Sequence, residues 1–109
     1  MDLYEQIQRL MAELDSSIKT LAKNGEALAE SERLYKMELT KEALRLRASD
    51  TPVTLINQVI YGLENVAKLR FERDVNQTNY DANKEHINIV KLKLRILEAQ
   101  LSREWGHNE

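Results

Sequence analysis

The 109-residue chain is 42% hydrophobic and 31% charged, with three glycines, one proline and no cysteine. That composition fits a long-helix protein and is too apolar and regular for disorder; it excludes a disulfide framework and a thiolate metal site. A net charge of -2 gives no global attraction to nucleic acid or anionic membrane.

The start, Met1-Asp2-Leu3-Tyr4-Glu5, carries early acids and no apolar core of a signal peptide. No run approaches the ~18 apolar residues of a membrane span. A cytoplasmic protein is expected. Asp2 and Glu5 have capping-box spacing, with an acid in place of Ser or Thr. Leu3, Ile7, Leu10, Leu14, Ile18 and Leu21 then recur at helical spacing. Asn24-Gly25 interrupts the pattern, as a kink or a turn, before Leu28, Tyr35, Leu39, Ala43 and Leu46 resume it. The first helix is predicted over about 2–48.

Ser49-Asp50-Thr51-Pro52 is the clear boundary. Proline disfavours helix in the residue before it, and Thr51 or Asp50 can N-cap a helix with Pro52 as its first residue. A short helix over about 52–61 carries Leu55, Ile56, Val59 and Ile60. Gly62 either ends it in a left-handed cap or lies inside a continuous helix.

The last helix is predicted over about 63–104, with two apolar stripes. One contains Phe71, Val75, Thr78, Ala82, Ile89, Leu92, Ile96 and Ala99; the other contains Ile87, Val90, Leu94, Leu97, Leu101 and Trp105. Read as neighbours, they make a face over 87–101 wider than a two-helix seam needs. Residues 72–86 between them are mostly polar.

These elements imply an all-α fold, a single domain over 1–109. It is an antiparallel helical hairpin or coiled coil of two long helices with a short connecting helix. A lone hairpin would leave the wide face half exposed, so assembly into a homodimer or higher bundle is expected. Its self-association residues would be Ile87, Val90, Leu94, Leu97, Leu101 and Trp105. The polar stretch is either a register device or a docking surface formed by Asn76, Asn79, Tyr80 and Asn83.

Candidate chemistry is sparse. Glu104 and His107 have one Glu-x-x-His spacing, where a di-iron bundle needs two such pairs plus further carboxylates. His86 beside Glu85 and Asp81 reads as a solvated face. No nucleophile elbow or phosphate-cradling loop occurs. No catalytic residue, metal or cofactor is expected. Lys91, Lys93 and Arg95 form one basic cluster; Arg33, Lys36, Lys41, Arg45 and Arg47 form a looser one diluted by glutamates. Segment 52–75 has helix-turn-helix spacing, but Glu64, Glu72 and Asp74 suit phosphate poorly.

Two stretches carry a resemblance. Leu44-Arg45-Leu46-Arg47-Ala48-Ser49-Asp50-Thr51-Pro52-Val53-Thr54 resembles an LRA-x-G-x-PVT element, with Asp50 where glycine is expected. Phe71-Glu72-Arg73-Asp74-Val75, Tyr80, the run Leu92–Leu101 and Glu104-Trp105 resemble a C-terminal helix that accompanies it. Over about 44–105 the chain is similar to a family of small helical proteins of phages and prophages of Gram-positive bacteria. The resemblance implies no catalytic residues. It implies a role near phage DNA recombination or host takeover, in the bacterial cytoplasm. The expected function is a non-enzymatic interaction protein that binds a phage recombination or replication factor, or a host defence or nuclease component. The alternative is a nucleic-acid-binding accessory using the Lys91–Arg95 face.

Overall fold

A computed structural model describes residues 2–107; Met1, Asn108, Glu109 and the side chain of His107 lie outside the described residues. Three helices and no strand occur among them: α1 (Leu3–Ala48), α2 (Val53–Val59) and α3 (Glu64–His107), with a 3-10 turn at Ile60–Gly62 between α2 and α3. The long helices α1 and α3 pack against each other in a helical hairpin. No helix is long and apolar enough to cross a membrane, among the described residues.

The ends of α1 follow from local chemistry. Asp2 Oδ1 accepts a hydrogen bond from the Glu5 amide at 2.8 Å, satisfying one of the free N–H groups of the first turn. At the other end the Asp50 amide donates to Arg47 O and the Thr51 amide to Leu46 O, both at 3.1 Å. This is a Schellman closure, and it needs a left-handed residue at Asp50. Asp50 has φ of 62°, so the aspartate takes the conformation that glycine adopts without strain. Between these caps α1 is continuous, and Asn24-Gly25 makes no turn.

The connection departs from expectation in two places. Pro52 is itself the N-cap of α2, with no side-chain cap, and its carbonyl accepts from the Ile56 amide at 3.0 Å. Gly62 has no positive φ. The chain leaves α2 through the 3-10 turn and an extended Leu63 (φ -64°, ψ 134°), so Gly62 is neither a left-handed cap nor part of a continuous helix.

The chain divides into two compact units: residues 1–23 with 80–109, and residues 24–79. The division in α1 falls at Asn24-Gly25, where the apolar pattern breaks. In the first unit Ile7, Val90 and Leu94 are buried together, and Leu10, Leu14, Leu97 and Leu101 pack against them. The α1 seam advances by alternating steps of four and three: Leu3, Ile7, Leu10, Leu14, Ser17 and Leu21 are all buried or half-buried. Ile18, expected in this stripe, is exposed, and Ser17 takes the seam position.

In the second unit the same alternation runs through Asn24, Leu28, Ser31, Tyr35, Glu38 and Glu42. On α3 it runs through Val66, Leu69, Arg73 and Asn76. Val66 is fully buried, as are Ile56 of α2 and Ile60 of the turn to within a few per cent. Six of these ten seam positions are polar, and several bond to polar side chains beside the seam. Asn65 donates to Glu38 and to Glu42, the latter at 2.9 Å. Arg45 Nε donates to buried Glu42 at 2.6 Å. The Arg73 guanidinium stacks on buried Tyr35 at 4.7 Å and also bonds Asp74.

Candidate interaction surface

A helix turns about 100° per residue, so Ile87 and Ile89 differ by about 200° and point nearly opposite ways. The two stripes on α3 are therefore not neighbours. In the first unit α1 covers Ile87, Val90 and Leu94, and leaves Ile89, Leu92 and Ile96 43%, 50% and 56% exposed. Full burial of such a side chain stabilises by about 1.5–3 kcal/mol, so leaving these three about half exposed forgoes roughly half of that at each.

This arrangement relocates the expected self-association residues. Ile87, Val90 and Leu94 are buried in the intrachain seam, Leu97 and Leu101 are half-buried against it, and Trp105 is 70% exposed near the end of α3. Covered by α1, the first five offer little surface to a partner. The open apolar face is the other stripe.

The polar docking residues are relocated too. Asn83 is half-buried and its Nδ2 donates to the Ser17 carbonyl on α1 at 3.1 Å. Asn76 is half-buried and reaches the Ala27 carbonyl at 3.5 Å. Tyr80 is half-buried beneath the Lys84 ammonium, 4.9 Å from its ring. Asn79 alone of the four is exposed. Asn76 and Asn83 hold seam positions and bond the facing helix, as a register device would. They do not form one outward surface.

The exposed stripe in the first unit has charged ends. Asp81 and Glu85 precede Ile89; Lys91, Lys93 and Arg95 stand around Leu92 and Ile96, and all five are exposed. Asp81 pairs with Lys84 at 3.6 Å. Glu85, Lys91, Lys93 and Arg95 make no ion pair among the described residues. Ile96 also borders a shallow groove lined by Gln6, Leu10, Lys93 and Leu97, which extends the apolar surface toward the seam.

The looser basic group on α1 is different. Arg33, Lys36, Lys41 and Arg45 pair with Glu30, Glu32, Glu38 and Glu42, each one turn earlier on the helix. The Arg45 guanidinium, with the Asn65 amide second, holds the Glu42 carboxyl below the usual glutamate range. Arg33 does the same to Glu30.

The second unit exposes its own apolar side chains, Met37 and Leu44 on α1, Val53, Leu55 and Val59 on α2, and Phe71 on α3. A groove lined by Leu39, Ala43, Leu44, Ile56, Ile60 and Tyr61 lies between α1 and α2.

No cluster of three or more metal-ligating side chains occurs among the described residues, and the Glu104–His107 spacing ends on a side chain outside them. His86 Nε2 lies 3.0 Å from Glu13 Oε1 on α1. The Glu38–Glu42–Asn65 cluster was missed by reading apolar spacing, although Glu38 and Glu42 continue the alternation of steps set by Ile7 and Leu10. No protein-family model, characterised protein or solved structure matches the chain.

Proposed function

We propose that this chain is a non-enzymatic helical interaction protein that acts by docking another protein on the outward stripe of α3. The observation that carries the reading is the two-sided apolar character of α3 in the first unit. One stripe packs on α1, and Ile89, Leu92 and Ile96 stand exposed on the opposite face. A polar helix back needs no such stripe, and contiguous exposed apolar surface marks interaction sites. The sequence resemblance over about 44–105 supports a setting in a bacterial cell carrying a phage or prophage. The partner there would be a phage recombination or replication factor, or a host defence or nuclease component.

The test is affinity capture from phage-infected cells with the full chain and with Leu92→Asp, read by mass spectrometry. Leu92 faces away from α1, so the variant keeps its helical circular dichroism. A protein captured by the wild type and lost with Leu92→Asp is expected. Capture of the same proteins by both sinks the reading.

A nucleic-acid accessory is the second reading. Its specific support is that Lys91, Lys93 and Arg95 are exposed and unpaired by acids among the described residues. Binding to an oligonucleotide that falls steeply with salt would favour it.

A further inference from the structure

We infer that the occupant of the outward α3 stripe is a second copy of this chain, lying antiparallel across it. The inference rests on the part of the proposed function that makes this stripe a protein-docking face, and it puts a second copy there in place of a phage or host factor. Along the stripe the charge changes sign. Asp81 and Glu85 stand before Ile89, and Lys93 and Arg95 after Leu92. The four are exposed, and all are placed within one unit.

Consider two such stripes face to face. Parallel pairing sets Glu85 beside its own copy and Arg95 beside its own copy, which repels twice. Antiparallel pairing about a two-fold axis between Ile89 and Leu92 reverses this. Residues equidistant from the axis then meet. Ile89 packs against the partner's Leu92, and Glu85 falls opposite the partner's Ile96, next to the partner's Arg95 and within one turn of the partner's Lys93. By symmetry each contact occurs twice, as an isologous interface requires. The groups that would pair are those left without an ion pair inside the chain: Glu85, Lys93 and Arg95 make none among the described residues. Charged flanks beside an apolar strip are how antiparallel helices choose orientation. Nucleic acid would be served by the basic end alone; it has no use for the apolar strip or for Glu85.

Sedimentation equilibrium on the full chain decides it, with circular dichroism as a control for folding. The wild type should be a dimer. Glu85→Lys and Arg95→Glu should each weaken the dimer at least about tenfold. Glu85→Lys combined with Arg95→Glu in one chain should recover it to within about threefold, because reversed charge then meets reversed charge. An equimolar mixture of the two single variants should recover it in the same way. A monomeric wild type overturns the inference. So does a dimer that ignores the single reversals, or a double variant as weak as the singles. A monomer that binds an oligonucleotide, and loses it with Arg95→Glu, gives the basic end to nucleic acid and also overturns it. The two proposals fail separately. A monomer that captures a protein lost with Leu92→Asp keeps the docking face and ends the second-copy inference. A charge-sensitive dimer that captures no other protein keeps the second copy and ends the search for a different partner at this face.

Discussion

The first unit closes on Ile7, Val90 and Leu94 with leucines around them, while the second fills equivalent seam positions with Ser31, Glu38, Glu42, Arg73 and Asn76. The helices carry the same alternation of three and four through both. What differs is the source of stability. Apolar seam residues gain from burial wherever they sit, so they tolerate sliding. Polar seam residues gain only when each meets its partner, so they favour one register at a cost in stability. The first unit is therefore expected to supply stability, and the second to supply specificity. Amide exchange can report each segment's stability separately.

The largest effect should come from charging the apolar seam. Leu94→Asp places a carboxylate where Leu94 is 8% exposed beside Ile7 and Val90. A loss of about 3–5 kcal/mol is expected, because the charge has no partner there. Chemical denaturation measures the loss, and hydrogen exchange should locate it in 3–23 and 80–101. Equal loss of protection around Tyr35 and Val66 would mean that the two units share one stability, and would break the contrast.

Next comes the polar cluster. Asn65→Ala removes the amide that bonds Glu38 and Glu42. Asn65 is exposed, so the expected loss is about 0.5–1.5 kcal/mol, with exchange rising in the second unit. The pH dependence has a defined sign. The Glu42 carboxyl is held below the usual glutamate range by Arg45 and Asn65 in the folded chain. Its stabilisation is fully present above the unfolded value and disappears as pH falls through the lowered folded value. A denaturation series from neutral to acid pH should lose this contribution below the ordinary glutamate range, and Glu42→Gln should flatten that part of the profile. An unchanged profile would remove Glu42 as a source of the unit's stability.

Asn83→Leu sharpens the comparison from the other side. Asn83 sits beside the apolar seam and spends a half-buried position on a bond to the Ser17 carbonyl. Leucine extends the apolar seam by one step. We expect a stability gain of about 1 kcal/mol at most, with more than one set of amide resonances as register loosens. A lower melting temperature with a single set of resonances would show that the asparagine contributes stability as well as register.

The hairpin was legible because Leu3–Leu14 and Ile87–Leu101 repeat apolar residues at helical spacing, and the boundary was legible because Asp50-Thr51-Pro52 cannot continue a helix. The assignment of faces was not. Spacing identifies a stripe but does not say which helix covers it, so Ile87–Leu101 and Ile89–Ile96 competed for one role. Their angular relation follows from a two-residue offset, and taking them as adjacent merged two opposite faces. The polar seam stayed hidden for a related reason: Ser17, Ser31, Glu38 and Glu42 keep the period, but hydrophobicity no longer marks it. Asn76 and Asn83 drew attention as polar residues in a long helix. Their role depended on what stood opposite, the Ala27 and Ser17 carbonyls, which one helix's sequence does not reveal.

The smallest effect tests the turn that closes the second unit's first helix. Asp50 has φ of 62° and donates from its amide to Arg47 O, while Thr51 donates to Leu46 O. Both bonds come from backbone amides, so Asp50→Gly keeps them. Glycine removes the Cβ crowding of a left-handed residue, worth about 1–2 kcal/mol for an ordinary side chain and less for aspartate, which tolerates this region. Glycine also frees the unfolded chain, which costs about 0.4–1 kcal/mol. The two terms nearly offset, leaving a gain of about 0.5 kcal/mol. Asp50→Ala faces the full crowding without aspartate's tolerance and should lose about 1 kcal/mol. The ordering glycine above aspartate above alanine in thermal midpoint is the readout, with exchange changing at 44–52 rather than in the Ile7–Leu94 core. If alanine matches glycine, the turn does not hold its left-handed geometry in solution, and the second unit's register is set by the Glu42–Asn65 cluster without help from the connection.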